Sequence, residues 1–344
     1  MEHNTDADVA EEIINSQDIL LPHSDIPVTQ KFSSVVQPIF GMHTTQIAPE
    51  RDKRLNGSKE CPFCYDRMIE ETAGPKMFHE LLIENTPNKV VSFPNRYSSG
   101  IADYVTVFSN HKTSPIEMSL ADMDNFMESS YELAKELLKR DDINGMMEII
   151  NLGQKAGATQ PHLHARRKGL TRSTIVDQDR ESAIVNEIMA RTGRNPIDEY
   201  LDDVIREYQT SGTGRYIFHN DYVAIFAPKA PRYTHEINIF LRKPRANILE
   251  CEANPYVNER KIVGESMLGI FHALSSVGVT DLNVETHQDR FDTQGSAMRL
   301  HYKVIPKNIN GVHAGFEDGG LYTVTKTPEE TAIIGRRHYH TDMA

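Results

Sequence analysis

Apolar residues in this chain follow two spacings in turn. Residues 90–93 and 104–108 are short runs of β-branched and aromatic side chains bounded by Pro94, Asn95 and Gly100, and they predict strands. From Ser119 the interval changes. Met123, Phe126, Met127, Ala134, Leu137 and Leu138 recur at helical spacing, which predicts a helix with one buried face. Ser119 followed by Asp122 forms a capping box at its start, and Asp141-Asp142 ends it. Residues 146–152 predict a further strand, and a turn punctuated by Gly153 and Gly157 leads into His162-Leu163-His164.

The same order returns in the second half. Residues 223–226 and 236–241 read as strands, with Pro228 and Pro231 in the link between them. Residues 256–277 read as a helix with Ile262, Met267, Ile270, Phe271 and Leu274 on one side. Residues 282–286 read as a strand, Gly295 as part of a turn, and residues 299–305 as a strand containing His301. The order strand, strand, helix, strand, turn, His-bearing strand therefore occurs at about 95–168 and again at about 218–306, the pattern of a diverged internal duplication. Unrelated α+β chains also produce such an order by chance. Between the two copies, residues 181–209 read as helical, interrupted near Gly193 and Pro196.

The chain has 344 residues, room for roughly two domains, and needs no disulfide or metal merely to hold a core. Lys and Arg number 37 against 49 Asp and Glu, a net charge of −12. That balance excludes a general nucleic-acid binder, which works by displacing counterions with positive charge. It leaves room for a local basic pocket that takes a phosphorylated small molecule. No run of 18 apolar residues predicts a membrane span, and the first thirty residues lack the basic start and apolar core of a secretory signal. Three cysteines are no disulfide framework, so the expected compartment is the reducing cytoplasm. Residues 1–28 hold seven acidic groups and no Lys or Arg, and they read as an acidic mobile arm.

The first sharp chemical signal is Cys61-Pro62-Phe63-Cys64. Two thiolates at this spacing can face one ion at about 2.3 Å, the bite that tetrahedral zinc accepts. A redox pair would sit at a helix start in a thioredoxin-like unit, whereas this one follows the charged loop 51–60. A metal needs two more ligands, and His111 and His162 are the candidates. The second signal is His162-Leu163-His164. Residues two apart in a strand face the same side, so one imidazole could serve a metal while the other faces a reacting centre. The preceding stretch from Asn151 to Pro161 supplies glycines for close backbone approach and donors for phosphate oxygens.

These residues, in this order, resemble the galactose-1-phosphate uridylyltransferases of the histidine-triad (HIT) superfamily. That family's hallmark has the form Asn-x-Gly-x-x-x-Gly-x-Ser-x-Pro-His-Pro-His-x-Gln. The same spacing here carries Asn151, Gly153, Gly157, Thr159, Pro161, His162, His164 and Arg166. Cys61 and Cys64 match the family's cysteine pair, and His111 matches its later zinc histidine. Ala314-Gly315-Phe316-Glu317 resembles a C-terminal motif that contacts the hexose.

The resemblance implies an α+β fold of two tandem HIT-like repeats with antiparallel sheets and flanking helices. The first would span 29–180, with the zinc site and the nucleophile. The second, degenerate, would span 181–344 with the C-terminal substrate segment. It further implies a structural zinc on Cys61, Cys64, His111 and His162, and a nucleotidyl intermediate on His164. Asn95, Asn151, Gly157, Thr159, Phe316 and Glu317 would bind substrate, with Arg51 and Arg54 touching phosphate. The partners would be a nucleotide-sugar and a sugar phosphate, and the assembly a homodimer, because in the family the hexose motif reaches the partner subunit's active site.

Two departures bear on substrate. The family glutamine after the nucleophile is Arg166, a charged two-pronged fork in place of a neutral amide. The family's ribose-binding Asn-Asp becomes Asn95-Arg96, so the lost carboxylate leaves the nucleoside open. In the second repeat, His301-Tyr302-Lys303 stands where the first has His-x-His, so one active centre per chain is expected. Glu181, His287 and His301 match three of the four ligands of another metal that some family members bind, and Lys303 replaces the fourth. Rival readings within the superfamily are a dinucleotide phosphorylase or a nucleotide hydrolase. A rival of another class is a catalytically silent, zinc-stabilised nucleotide-binding protein.

Overall fold

A computed structural model describes residues 33–37, 43–48, 61–64, 90–95, 98–108, 110–174, 176–307 and 320–339. The acidic arm over 1–28, together with Arg51, Arg54, Arg96, Phe316 and Glu317, lies outside the described residues.

The fold is α+β. A hairpin of β1 (Ser33–Gln37) and β2 (His43–Ile47) forms a two-stranded sheet. The main sheet takes β3 (Val90–Pro94), β4 (Asp103–Phe108), β5 (Gly145–Leu152) and β6 (His164–Leu170) from the first half. It takes β7 (Tyr216–His219), β8 (Val223–Phe226), β9 (Ile237–Leu241), β10 (Leu282–His287) and β11 (His301–Pro306) from the second. The strand order is β3-β4-β6-β5-β10-β11-β9-β8-β7, antiparallel throughout. Read outward from the β5–β10 junction, the first half presents its third strand, then its fourth, its second and its first, and the second half does the same once the edge strand β7 is set aside. The doubled pattern in the sequence is thus matched by a mirrored strand order, with β5 and β10 joining the halves into one sheet.

Five helices flank it among the described residues: α1 (Leu120–Leu138), α2 (Asp177–Thr192), α3 (Pro196–Ser211), α4 (Glu259–Ser275) and α5 (Pro328–Tyr339). None is long and apolar enough to cross a membrane. The start of α1 is set locally. Ser119 Oγ accepts the Asp122 N–H at 3.2 Å, and the Asp122 carboxylate accepts the Ser119 N–H at 2.7 Å, so two orphan donors of the first turn are satisfied. The predicted apolar stripe faces inward except for its last member Leu138, which is 47% exposed; Met123, Phe126, Met127 and Leu137 are at most 2% exposed. Each such side chain contributes on the order of 1.5–3 kcal/mol by leaving water.

Helices α1, α4 and α5 cover one face of the sheet with the main core. On the other face, Ile197, Leu201 and Val204 of α3 pack on Ala224, Phe226 and Phe240 near the β8 edge. The strip from β4 across to β11 carries polar side chains on that second face. Strand alternation sorts two adjacent arginines onto opposite sides. Arg166 points to the polar strip. Arg167 is fully buried under α1, ion-paired to Glu148 and donating to Thr106 Oγ1 at 3.0 Å, Ser129 Oγ at 2.8 Å and the Phe126 carbonyl at 3.2 Å. Glu148 also accepts from Ser130 and Thr286. A buried charge pair costs desolvation unless its remaining groups are satisfied, and here they are.

Several boundaries differ from expectation. The long helix of the second half begins at Glu259, not 256, because Asn258 caps it by accepting the Lys261 N–H. Helix α5 and strands β1, β2 and β7 were not legible in the pattern. The twelve-residue helix α5 is largely charged, and its buried positions Thr331, Ala332, Gly335 and Tyr339 make too sparse an apolar stripe to stand out. His162 lies before β6, and only His164 is in the strand.

Candidate active site and metal centre

The turn between β5 and β6 brings the two histidines into place. Gly153 and Gly157 adopt φ of +83° and +86°, conformations that L side chains avoid. At Gly153 a Cβ would lie 2.2 Å from Asp281 Oδ1. That carboxylate accepts the Lys155 N–H at 2.9 Å. The Gly157 N–H goes to the Gln154 carbonyl at 3.0 Å. Two backbone donors of this turn are therefore already used inside the protein, which leaves side chains such as Asn151 and Thr159 as its groups for a phosphate. An internal carboxylate takes the Lys155 donor, and the Gly157 donor closes a 3-10 turn. The turn positions the strand that follows.

His162 is fully buried. Its Nε2–H donates to the Phe108 carbonyl at 2.7 Å, which leaves Nδ1 facing Cys61 Sγ at 3.4 Å. His111 Nδ1 lies 3.2 Å from Cys64 Sγ. The ligand atoms of Cys61, Cys64, His111 and His162 all lie within 4.8 Å of one another. A tetrahedral zinc with ordinary bonds to sulfur and nitrogen places neighbouring S and N atoms about 3.5 Å apart, so these four residues fit the ion. Their set is closed, with no ligand position left for water. Among the protein groups alone, burial pushes the Cys61 thiol up to about 11 and the His162 imidazole down to about 4. Neutral imidazole is the ligating form, and a divalent cation beside Cys61 would reverse the thiol's shift.

His164 opens β6 and is 6% exposed. Its Nδ1–H donates to the His162 carbonyl at 2.8 Å. This fixes the tautomer and leaves the Nε2 lone pair free. Burial and the Arg166 charge hold the ring below the ordinary imidazole range, hence neutral near pH 7. Phe63, inside the Cys61–Cys64 loop, sits edge-on to His164 at 5.1 Å and to His162 at 6.3 Å. The metal loop and the candidate nucleophile are thus in direct contact.

Across the strands, Asn151 of β5 and Val107 of β4 lie opposite His164. Asn151 Oδ1 accepts from Asn283 at 2.6 Å, so its amide nitrogen is the group left for a ligand. Thr159 is half-buried in the approach to His162. Asn95 donates to Asp103 Oδ1 at 3.3 Å, which makes it a support of Asp103. The fork of Arg166 is held by Asp103. Asp103, Phe63 and Lys168 were missed by sequence reasoning. The one available signal was the parity of β4 and β6, which puts Asp103 opposite Lys168.

The other polar cluster joins Glu181, His287 and His301. His301 Nδ1–H donates to the Arg299 carbonyl two residues earlier at 2.9 Å, as His164 does to His162, and each opens its strand. The correspondence of His301 with His162 is corrected: by posture His301 matches His164, and Lys303 matches Arg166. One active centre is still expected, on a different ground. His301 is 3% exposed, stacked on Phe240 at 4.1 Å and facing Glu181 with Nε2 at 3.6 Å.

The ligand atoms of this second cluster lie within 4.8 Å of one another, close enough to share an ion, but its carboxylates already have internal partners. The Lys303 ammonium sits on one Glu181 oxygen, and His287 Nδ1 on the other at 2.6 Å, while His287 Nε2 faces Glu285 at 3.5 Å. Burial alone would suppress charge on both partners. The ion pairs outweigh it, holding Glu181 well below the usual carboxylate range and His287 above the usual imidazole range. Both carboxylates thus meet internal cations, and a metal would have to displace Lys303.

A pH prediction follows from the sign of the His287 shift. Its folded pKa is raised, so its contribution to stability is complete below the unfolded value of 6.5 and is lost as pH rises through the folded value. Denaturant unfolding of wild type should show stability declining as pH rises above the unfolded value of 6.5 and through the raised folded value. His287→Gln should flatten that decline. Equal slopes in the two proteins would contradict the assignment.

No family model matches the sequence, and no curated protein does. Solved structures do match the fold. A uridylyltransferase mutant superimposes with a TM-score of 0.68 at 16% identity, covering 89% of this chain and 98% of that one. A galt-like protein from Arabidopsis thaliana gives 0.65 at 16% identity, over 82% and 93% of the two chains. An ADP-glucose phosphorylase from Arabidopsis thaliana, solved with bound ADP-glucose, gives 0.65 at 16% identity, over 89% and 99%. The chain shares the uridylyltransferase fold over nearly the full length of these proteins.

Proposed function

We propose that this chain is a nucleotidyltransferase that exchanges a nucleotidyl group between a nucleotide-sugar and a sugar 1-phosphate through an intermediate on His164. The observation that carries the reading is the posture of that ring: neutral, with Nδ1–H on the His162 carbonyl and Nε2 unshared. In the first half-reaction Nε2 attacks the α-phosphorus, an N–P bond forms, and the bond to the departing sugar 1-phosphate oxygen breaks. In the second, the phosphate of an acceptor sugar attacks the same phosphorus and the imidazole leaves. A neutral nucleophile meets less repulsion from a phosphodiester than a second phosphate does, and two easier displacements replace one difficult one.

Zinc held by Cys61, Cys64, His111 and His162 would supply a structural cross-link. The chain's own groups do the rest. The His162 carbonyl orients the nucleophile. In this reading Asn151, Thr159 and Arg166 would meet the transferred phosphate, and Arg51, Arg54, Phe316 and Glu317 are proposed further substrate contacts. The reading carries with it a homodimer working in the cytoplasm.

The test is a panel of nucleotide-sugars labelled in the α-phosphate and read by intact mass. The expected result is one acid-labile nucleotidyl adduct on His164, discharged by a sugar 1-phosphate. Discharge by inorganic phosphate alone would move the reading to phosphorolysis, the reaction named for the Arabidopsis ADP-glucose enzyme of the same fold. Binding without any adduct would favour a silent nucleotide-binding protein.

A further inference from the structure

Three cationic or nucleophilic side chains share one face of β6 at alternate positions: His164, Arg166 and Lys168. Successive members of such a row stand about 6.5–7 Å apart, so Arg166 flanks whatever reacts at His164. A free arginine there would be a flexible cation that attracts any anion. This one is not free. Asp103 on the neighbouring strand has a fully buried side chain. Its Oδ2 takes Arg166 Nη2, and its Oδ1 faces Arg166 Nε at 3.4 Å. The same carboxylate is fixed from behind by the Ser99 N–H at 3.0 Å and by Asn95 Nδ2 at 3.3 Å. Ser99 Oγ accepts from Arg166 Nη2 at 3.4 Å and from Lys168 Nζ at 2.7 Å. The two cations therefore converge on one hydroxyl, with Lys168 also tied to Gln46 at 2.6 Å.

We infer that Asp103 is a positioning residue that turns Arg166 into a fixed, charge-compensated hydrogen-bond donor beside His164, the pair forming with Lys168 a subsite for the diphosphate of a nucleoside diphosphate ester. The inference deepens the nucleotidyl-transfer reading and rests on it. Two of the three guanidinium nitrogens are spent on Asp103, and Nη1 is the edge left for a ligand on a side chain that stays 21% exposed. Arg166 with Asp103 carries no net charge, so it directs a phosphate oxygen by geometry. Lys168 supplies the attraction. Pre-orientation of this kind raises the rate of a step more than it tightens ground-state binding.

That division gives the test an unusual sign. Asp103→Asn removes a carboxylate from a cationic site, so anions should bind better, while the freed guanidinium loses its pose and chemistry should slow. Two readouts are needed: the rate of His164 labelling by a nucleotide-sugar, and the affinity for inorganic pyrophosphate by calorimetry. Asp103→Asn should label at least tenfold more slowly and bind pyrophosphate severalfold more tightly. In an Arg166→Gln background the same substitution should cause no further loss of labelling, since the residue it positions is gone.

A fall in both rate and pyrophosphate affinity, or an equal loss of labelling in both backgrounds, overturns the inference. If Asp103→Asn does not fold, Ser99→Ala loosens the same guanidinium and should slow labelling without weakening pyrophosphate; weakening of both overturns the inference equally. Should wild type take label from no nucleotide, nucleotidyl transfer fails as a reading. The change in pyrophosphate affinity then still decides for or against Asp103.

Discussion

Replacing His164 by Gly is expected to abolish nucleotidyl exchange, with a loss of about 10⁴-fold or more, the scale on which removal of a covalent nucleophile acts. The mechanism offers no alternative attacker. His162, two residues away, is fully buried and spends Nε2 on the Phe108 carbonyl and Nδ1 on the cysteine cluster. His301, the ring with the matching posture, is enclosed by Phe240, His287 and Glu181. The Gly variant should keep the fold, because the His164 ring is held by a single hydrogen bond and an edge contact with Phe63. The space it leaves should admit imidazole, which could then carry the nucleotidyl group in solution. Steady-state exchange assays with and without imidazole check both statements. Full turnover by the variant without imidazole would refute His164 as nucleophile.

The second large effect is expected at the metal centre. Wild type should hold about one zinc per chain by elemental analysis, and not two, since Lys303 occupies the other cluster. Cys64→Ser should lower zinc content well below one and reduce solubility or thermal stability. Structural zinc binding is folding free energy for the segments it joins, about 10–16 kcal/mol in isolated zinc peptides. Here the main core contains none of the four ligands, so the expected loss is local: the Cys61–Cys64 loop, the His111 segment and the entry to β6. Phe63 should then leave the His164 ring, and labelling should fall by roughly tenfold or more, as misplacement of a reacting group does. A metal-free Cys64→Ser protein that is fully folded and labels His164 at the wild-type rate would exclude the zinc reading.

Much of this molecule was legible because its signals are local. The start of α1 is written in Ser119 and Asp122, three residues apart, and its buried face in the helical interval of Met123, Phe126, Met127 and Leu137. The break between α2 and α3 follows from Gly193 at φ +70° and from Pro196 opening the next helix. The metal cluster could be assembled from the order of Cys61, Cys64, His111 and His162 because ligand types are few and their spacing is constrained by the ion. What could not be read was decided by the register of the nine-stranded sheet.

The sheet sets Asp103 beside Arg166 from 63 positions away, places Asp281 against the Gly153 turn from 126 positions beyond Lys155, and brings Glu181 between His287 and Lys303. Carboxylates and cations are common, and most of them are solvated, so nothing in the chain marks these particular ones as partners. A shift of β4 by one residue would turn Asp103 to the opposite face. The sequence alone thus specified most of the elements, though not α5, β1, β2 or β7, and the reactive residue types. Only the tertiary structure decided that Arg166 is a held donor, that Asp281 takes the Lys155 N–H of the glycine turn, and that Lys303 sits on Glu181 in the second cluster.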